Sequence, residues 1–171
     1  NDLYLSNLKR LLTMIKERRV TMTGWEDILL VQSSQSQNEK NIRLEHFDYE
    51  PIPYVWNNTW GEGREDMIYK FANLGFKTVM SNSSAFYFDM SDNKDFENYG
   101  LNWSGYVDYF DTWAIDPLDI FSNQVLNSKH RLNKKYIDKT EKIKSENLNN
   151  FLGIQSQLWT ETVIDNEVFD E

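Results

Sequence analysis

The sequence predicts an α/β chain built on parallel strands, and three observations carry that expectation. Strand-like runs alternate with amphipathic segments along the chain. Residues 54–81 read as a strand, a helix and a second strand, the helix closed by the single glycine Gly75. Such a unit is the mark of parallel strands joined by a right-handed crossover. Each strand-like run also leads into an aromatic residue at or just beyond its end.

The elements follow in order. Residues 2–18 carry Leu5, Leu8, Leu12 and Ile15 at helical spacing, with Leu11 and Met14 beside them. Lys9, Lys16, Glu17 and Arg18 supply the wet face. Val20 to Trp25 reads as the first strand. Residues 28–50 are polar, with a Gln/Ser stretch at 32–37, and predict a loop with a short helix. Tyr54 to Asn58 is the second strand. Glu62 to Leu74 is a helix with acidic residues near its start and Met67, Ile68, Phe71 and Leu74 on one face. Phe76 to Ser81 is the third strand. Residues 91–152 are aromatic and charged, without clear strands. A stretch that long implies structure of its own, so short helices are expected around Asp116-Pro117 and 139–150, within an active-site insertion. Gly153 to Leu158 is the fourth strand.

Composition bounds the function. The chain has 171 residues, 40% hydrophobic and 15% aromatic, which suits one compact domain spanning 1–171. A net charge of −9 argues against nucleic acid, which calls for a basic surface. The basic run at 129–135 lies among acidic residues and reads as a solvated face. No cysteine means no disulfide and no thiol chemistry. No apolar stretch approaches the roughly 18 residues that span a bilayer. The first residues carry no signal-peptide pattern, and an opening on Asn1 rather than Met is consistent with the removal of one. His46 and His130 stand apart without ligand spacing, so neither a metal nor another cofactor is expected. The sequons at Asn57, Asn82 and Asn102 read as unused, two of them at strand ends facing a pocket.

The rings and carboxylates at the strand ends point to a sugar. Aromatic faces stack on the apolar faces of a pyranose, and carboxylates accept hydrogen bonds from its hydroxyls. The stretches GWED at 24–27, NNTWG at 57–61, TVMSNSSAFYFDM at 78–90, GLNWSGY at 100–106 and LWTET at 158–162 together resemble glycoside hydrolase family 20, the β-N-acetylhexosaminidases, in order and in approximate spacing. The resemblance covers most of the chain. It implies a (β/α)₈ barrel, of which 171 residues hold only half, and matches these strands to the family's fifth to eighth, the C-terminal half.

The resemblance also implies roles. Family 20 works by substrate assistance: the 2-acetamido carbonyl of the sugar attacks the anomeric carbon. Tyr87 matches the tyrosine that hydrogen-bonds that carbonyl. Trp25, Trp60 and Trp159 match the tryptophans that box the acetamido group and sugar face. Trp56 competes with Trp60, which the Trp-Gly register favours. Asp89 and Glu161 match the carboxylates on the 4- and 6-hydroxyls, and Trp103 is a candidate platform for the next sugar. Glu26 and Asp27 are read as an N-cap and a first-turn acid of a following helix.

The Asp-Glu pair that does the family's proton work follows a His-x-Gly-Gly-like stretch that this sequence lacks. Its one adjacent Asp-Glu, at 170–171, is terminal. The expectation is a part of a hexosaminidase acting on N-acetylhexosamine glycans, inactive alone, and completed by the missing N-terminal half or by a second copy. The family suggests a secreted, periplasmic or lysosomal setting without deciding among them. The alternatives are a non-catalytic carbohydrate-binding half-barrel and a self-associating structural fragment.

Overall fold

A computed structural model describes residues 2–31, 41–42, 50–95, 97–122 and 132–163. Among these, six strands form two sheets. The main sheet holds β1 (Thr23–Trp25), β4 (Ile52–Val55), β5 (Thr78–Met80) and β6 (Phe151–Ile154), in that order and all parallel. A two-stranded antiparallel ribbon pairs β2 (Leu30–Val31) with β3 (Asn41–Ile42). The helices are α1 (Asp2–Glu17), α2 (Met67–Asn73), α3 (Ser83–Phe86), α4 (Tyr109–Ala114) and α5 (Lys134–Ile137), with 3₁₀ turns at Glu26–Leu29 and Ser145–Asn150.

Helix α1 forms where its period demands. Leu8 and Leu12 are buried and Leu5 and Ile15 half-buried, whereas Leu11 and Met14 stay exposed. Arg19, at φ 54°, ends it in a left-handed turn. The expected 28–50 loop contains a 3₁₀ turn and the β2–β3 ribbon; residues 32–40 and 43–49 lie outside the described residues.

Helix α2 is shorter than the expected 62–74. Gly61 and Gly63 both hold positive φ, 90° and 82°, and keep the chain in turns until Met67. Met67, Ile68, Tyr69, Phe71 and Ala72 are buried, but Leu74, at the helix end, is exposed. Gly75, at φ 101°, turns the chain toward β5 as expected of a glycine just past a helix.

Strands β4 and β6 each begin two residues before the expected start. Beyond β6, Gln157 bridges to Tyr87 in parallel, so the β5–β6 pairing resumes after α3. The core joins both sheets: Leu29, Val55, Trp60, Phe71, Met80 and Phe86 belong to one buried cluster.

The stretch expected as a single active-site insertion divides in two. Its first part folds over the carboxyl ends of the strands. There Met90 pairs with Leu101, and Val107 joins Tyr87 and Met90 in a second small core. Its second part, residues 132–150, is clamped along α2 by side chains. The Tyr136 hydroxyl donates to Glu65 (2.7 Å), the Glu141 N–H to Asp66 (2.7 Å), and Asn150 to the Ala72 carbonyl (2.9 Å). That part leads into the amino end of β6, the opposite end of the sheet from the rings. Of the short helices expected here, the 3₁₀ turn Ser145–Asn150 falls within 139–150, α4 ends two residues before Asp116, and α5, just before residue 139, is an addition.

Candidate active site

The parallel sheet brings four chain segments to one rim. Trp25 is the last residue of β1 and Trp56 follows the last residue of β4. Tyr87 follows α3, just beyond β5, and Trp159 lies past β6. Parallel strands point their carboxyl ends the same way, and ligands of α/β sheets sit at those ends.

The rings touch. Trp25 and Trp159 have centroids 6.1 Å apart, and Tyr87 and Trp159 6.0 Å. Tyr87 lies nearly parallel to Trp56 at 6.5 Å and 15°. Trp103, carried in by the loop over the site, sets its ring edge-on to both, 6.0 Å from each. That loop closes tightly at Gly100, where a Cβ would stand 2.4 Å from the Ser91 backbone nitrogen. Tyr87 is buried, Trp25 and Trp56 are half-buried, and Trp103 and Trp159 are exposed. The arrangement is a stepped aromatic wall with its open side to solvent.

Trp60 is not part of it, which corrects the sequence expectation. Its side chain is 1% exposed and packs edge-on against Phe121 at 6.2 Å, inside the main core. Trp56 takes the place on the wall. The chain turns inward between the two: buried Asn58 exchanges hydrogen bonds with Ser84, its amide donating to Oγ (2.8 Å) and its oxygen accepting from the backbone N–H (3.3 Å).

The polar groups sit at the edge of the wall. Asp89 is buried. Its Oδ1 finds no hydrogen-bond partner among the described residues. Burial raises its pKa above the ordinary carboxylate range, and the charge of Glu161 adds to the rise. Glu161 is exposed and reaches the same spot electrostatically. Burial likewise raises the Tyr87 phenol, helped by the charge of Glu26, so the phenol stays protonated and able to donate.

Glu26 is the residue that sequence reasoning undervalued. Trp25 takes the N-cap position, so Glu26 stands with Asp27 in the first turn of the 3₁₀ helix, and it is fully buried. Its carboxylate accepts from the backbone N–H groups of Trp56 (2.7 Å) and Asn57 (3.3 Å) and pairs with Arg64 at 2.9 Å. Burial pushes its pKa up to about 7, outweighing the opposing pull of Trp56 and Arg64. Asp27, next in sequence and exposed, accepts from the Trp56 indole N–H at 2.9 Å.

A cavity of about 690 Å³ lies beside the wall, between the 86–90 segment, α4 and the chain after β6. It shares Asp89 and Trp159 with the site, but not Trp25, Trp56 or Tyr87. Among the described residues no three His, Cys, Asp or Glu side chains gather as a metal site would, and no helix is long and apolar enough to cross a membrane. His46 and His130 lie outside those residues, as does the 129–131 part of the basic run. Of the three sequon asparagines, Asn82 is fully buried.

Comparison with known proteins decides the family. The model of the glycosyl hydrolase family 20 catalytic domain matches residues 1–171. The chain belongs to family 20. It is 27% identical over 161 residues to a β-hexosaminidase of Vibrio vulnificus, covering 91% of this chain and 17% of that protein. Its fold is similar to that of a family 20 exo-β-N-acetylglucosaminidase of Vibrio harveyi in complex with N-acetylglucosamine. The TM-score is 0.62 at 17% identity, covering 99% of this chain and 20% of the other. A Streptomyces plicatus N-acetyl-β-hexosaminidase gives 0.59 at 20% identity, over 97% and 26%. The chain thus spans between 17% and 26% of these family 20 proteins, and its α/β fold with a parallel sheet is similar to theirs.

Proposed function

We propose that this chain is the C-terminal half, strands five to eight, of a family 20 barrel, and supplies the acetamide-binding wall of a β-N-acetylhexosaminidase. The parent enzyme releases terminal N-acetylglucosamine or N-acetylgalactosamine from glycans. The observation that carries this reading is the meeting of Trp25, Trp56, Tyr87, Trp103 and Trp159 at the carboxyl ends of four parallel strands. Such rings enclose an N-acetyl group and stack on a sugar face.

The chemistry follows from what the wall holds. A protonated Tyr87 hydroxyl donates to the acetamide carbonyl as that oxygen attacks the anomeric carbon. The donor acts on charge that develops in the transition state, so it lowers the barrier more than it tightens substrate binding. Asp89, with a buried oxygen awaiting a donor, accepts from a sugar hydroxyl. Glu161 takes the neighbouring hydroxyl, and Trp103 carries the next sugar. The proton donor to the leaving oxygen comes from an Asp-Glu pair beyond residues 1–171. The exposed Leu152, Ile154 and Leu158 on and after β6, with Trp113 on α4, support a covering partner. That partner is the N-terminal half, with a second copy of the chain as the competing choice.

Two measurements test this. The isolated chain should show no turnover of an aryl N-acetylglucosaminide and should gain it when co-expressed with the remaining barrel; turnover by the pure isolated chain would sink the division of labour. In the completed enzyme, Tyr87→Phe should lower kcat by about 10² to 10³, the scale for loss of one oxyanion donor, with KM nearly unchanged. An unchanged kcat would remove Tyr87 from the mechanism.

A further inference from the structure

Two adjacent carboxylates grip one tryptophan from two sides. Trp25 ends β1 in register with Tyr54 of β4, so the 3₁₀ turn that follows lies beside the end of β4. Its first two residues diverge. Glu26 turns into the core and takes the backbone N–H of Trp56, while Asp27 stays at the surface and takes the indole N–H of the same residue. The two bonds are 2.7 and 2.9 Å long, and both acceptors are carboxylates. Arg64 holds Glu26 from behind at 2.9 Å.

An indole has one N–H donor. Fixing the main chain at one end and that donor at the other leaves the ring no freedom to turn over, because a flipped indole would point Nε1 away from Asp27. The Trp56 plane is thereby set nearly parallel to Tyr87. Packing against Tyr87 and Trp103 alone would not choose between the two ring faces. We infer that Glu26 and Asp27 are positioning residues for the sugar site, Glu26 setting the backbone and Asp27 the ring orientation of Trp56. This rests on the reading of the ring cluster as the sugar-facing wall.

The test uses the full chain, with ¹⁵N-labelled indoles and N-acetylglucosamine as the probe. Asp27 is exposed, so its substitution spares the core. In Asp27→Leu the Trp56 indole proton should move upfield. Its exchange with solvent should quicken by on the order of tenfold, the scale for losing a charge-assisted hydrogen bond. N-acetylglucosamine binding should weaken severalfold. Asp27→Asn keeps an acceptor oxygen and should restore both. A Trp56 indole signal in Asp27→Leu that matches wild type in shift and exchange would overturn the proposal. A control separates it from the reading beneath it. If Trp56→Phe leaves N-acetylglucosamine binding unchanged, the wall is not the sugar site and the functional part of the inference fails with it. A moved indole signal would then still establish the grip.

Discussion

The middle of the sheet and its β6 edge use similar residues to different ends. Strands β4 and β5 alternate buried and half-buried positions, and their far side is sealed by Ile68, Phe71 and Ala72 of α2. Strand β6 alternates half-buried and exposed, with Leu152 and Ile154 each 52% exposed. Both regions deliver an indole to the same rim. Trp56 arrives on a strand anchored by Glu26, Arg64 and Asn58, whereas Trp159 arrives on an apolar edge that no described element covers. The wall therefore has a rigid side that the chain builds for itself and a side whose order depends on what packs against β6.

The contrast can be broken most forcefully at Glu26. Glu26→Ala leaves Arg64 buried without its partner and frees two N–H groups, and should cost about 3–5 kcal/mol in urea unfolding. A cost under about 1 kcal/mol would show that the anchored side is not anchored there.

The two neighbouring tryptophans sharpen it next. Trp60→Ala empties a core site and should also cost about 3–5 kcal/mol, while Trp56→Ala should cost well under half of that and abolish sugar binding. Equal stability losses would contradict their division between core and wall.

The pH dependence comes third. The folded Glu26 pKa is raised, to about 7 from an ordinary 4.5, so the folded state holds the proton more tightly than the unfolded chain. Its contribution is full below 4.5 and is lost as pH rises through about 7. It should amount to on the order of 3 kcal/mol at most. The urea midpoint should fall between pH 5 and pH 8, and this fall should be absent in Glu26→Gln. A midpoint that climbs over that interval would contradict the assigned direction.

The smallest effect belongs to the edge. Ile154→Ser should change the stability of the isolated chain by no more than about 0.5 kcal/mol, as at most exposed positions. It should destabilise the completed barrel more. An equal effect in both would mean that β6 is not a buried seam of the whole enzyme.

Most of the element order was legible in the sequence because period and punctuation agree: the α1 stripe, the glycine after α2 and the apolar strand runs. The choice between Trp56 and Trp60 was not. Both follow β4 in a segment without alternation, and long-range partners decide which ring turns inward: Asn58 with Ser84, and Glu26 beneath the backbone of Trp56. The burial of Glu26 was hidden for the same reason, since Arg64 lies 38 residues away. The helix at 62–66 was over-read because the acidic residues that resemble a first turn serve other partners. Asp66 receives Lys70 and the backbone of Glu141, and Glu65 receives Tyr136.

Gly100 carries a consequence for how such a site diversifies. The backbones at Ser91 and Gly100 approach so closely that no side chain fits between them, and Trp103 hangs only three positions further on. That crossing works like a knot tied at the base of a loop. What lies between positions 91 and 100 can lengthen, shorten or change its charge while Trp103 keeps its place beside Trp56 and Tyr87. Adding one methyl group at the knot would shift Trp103, and with it the outer edge of the aromatic wall.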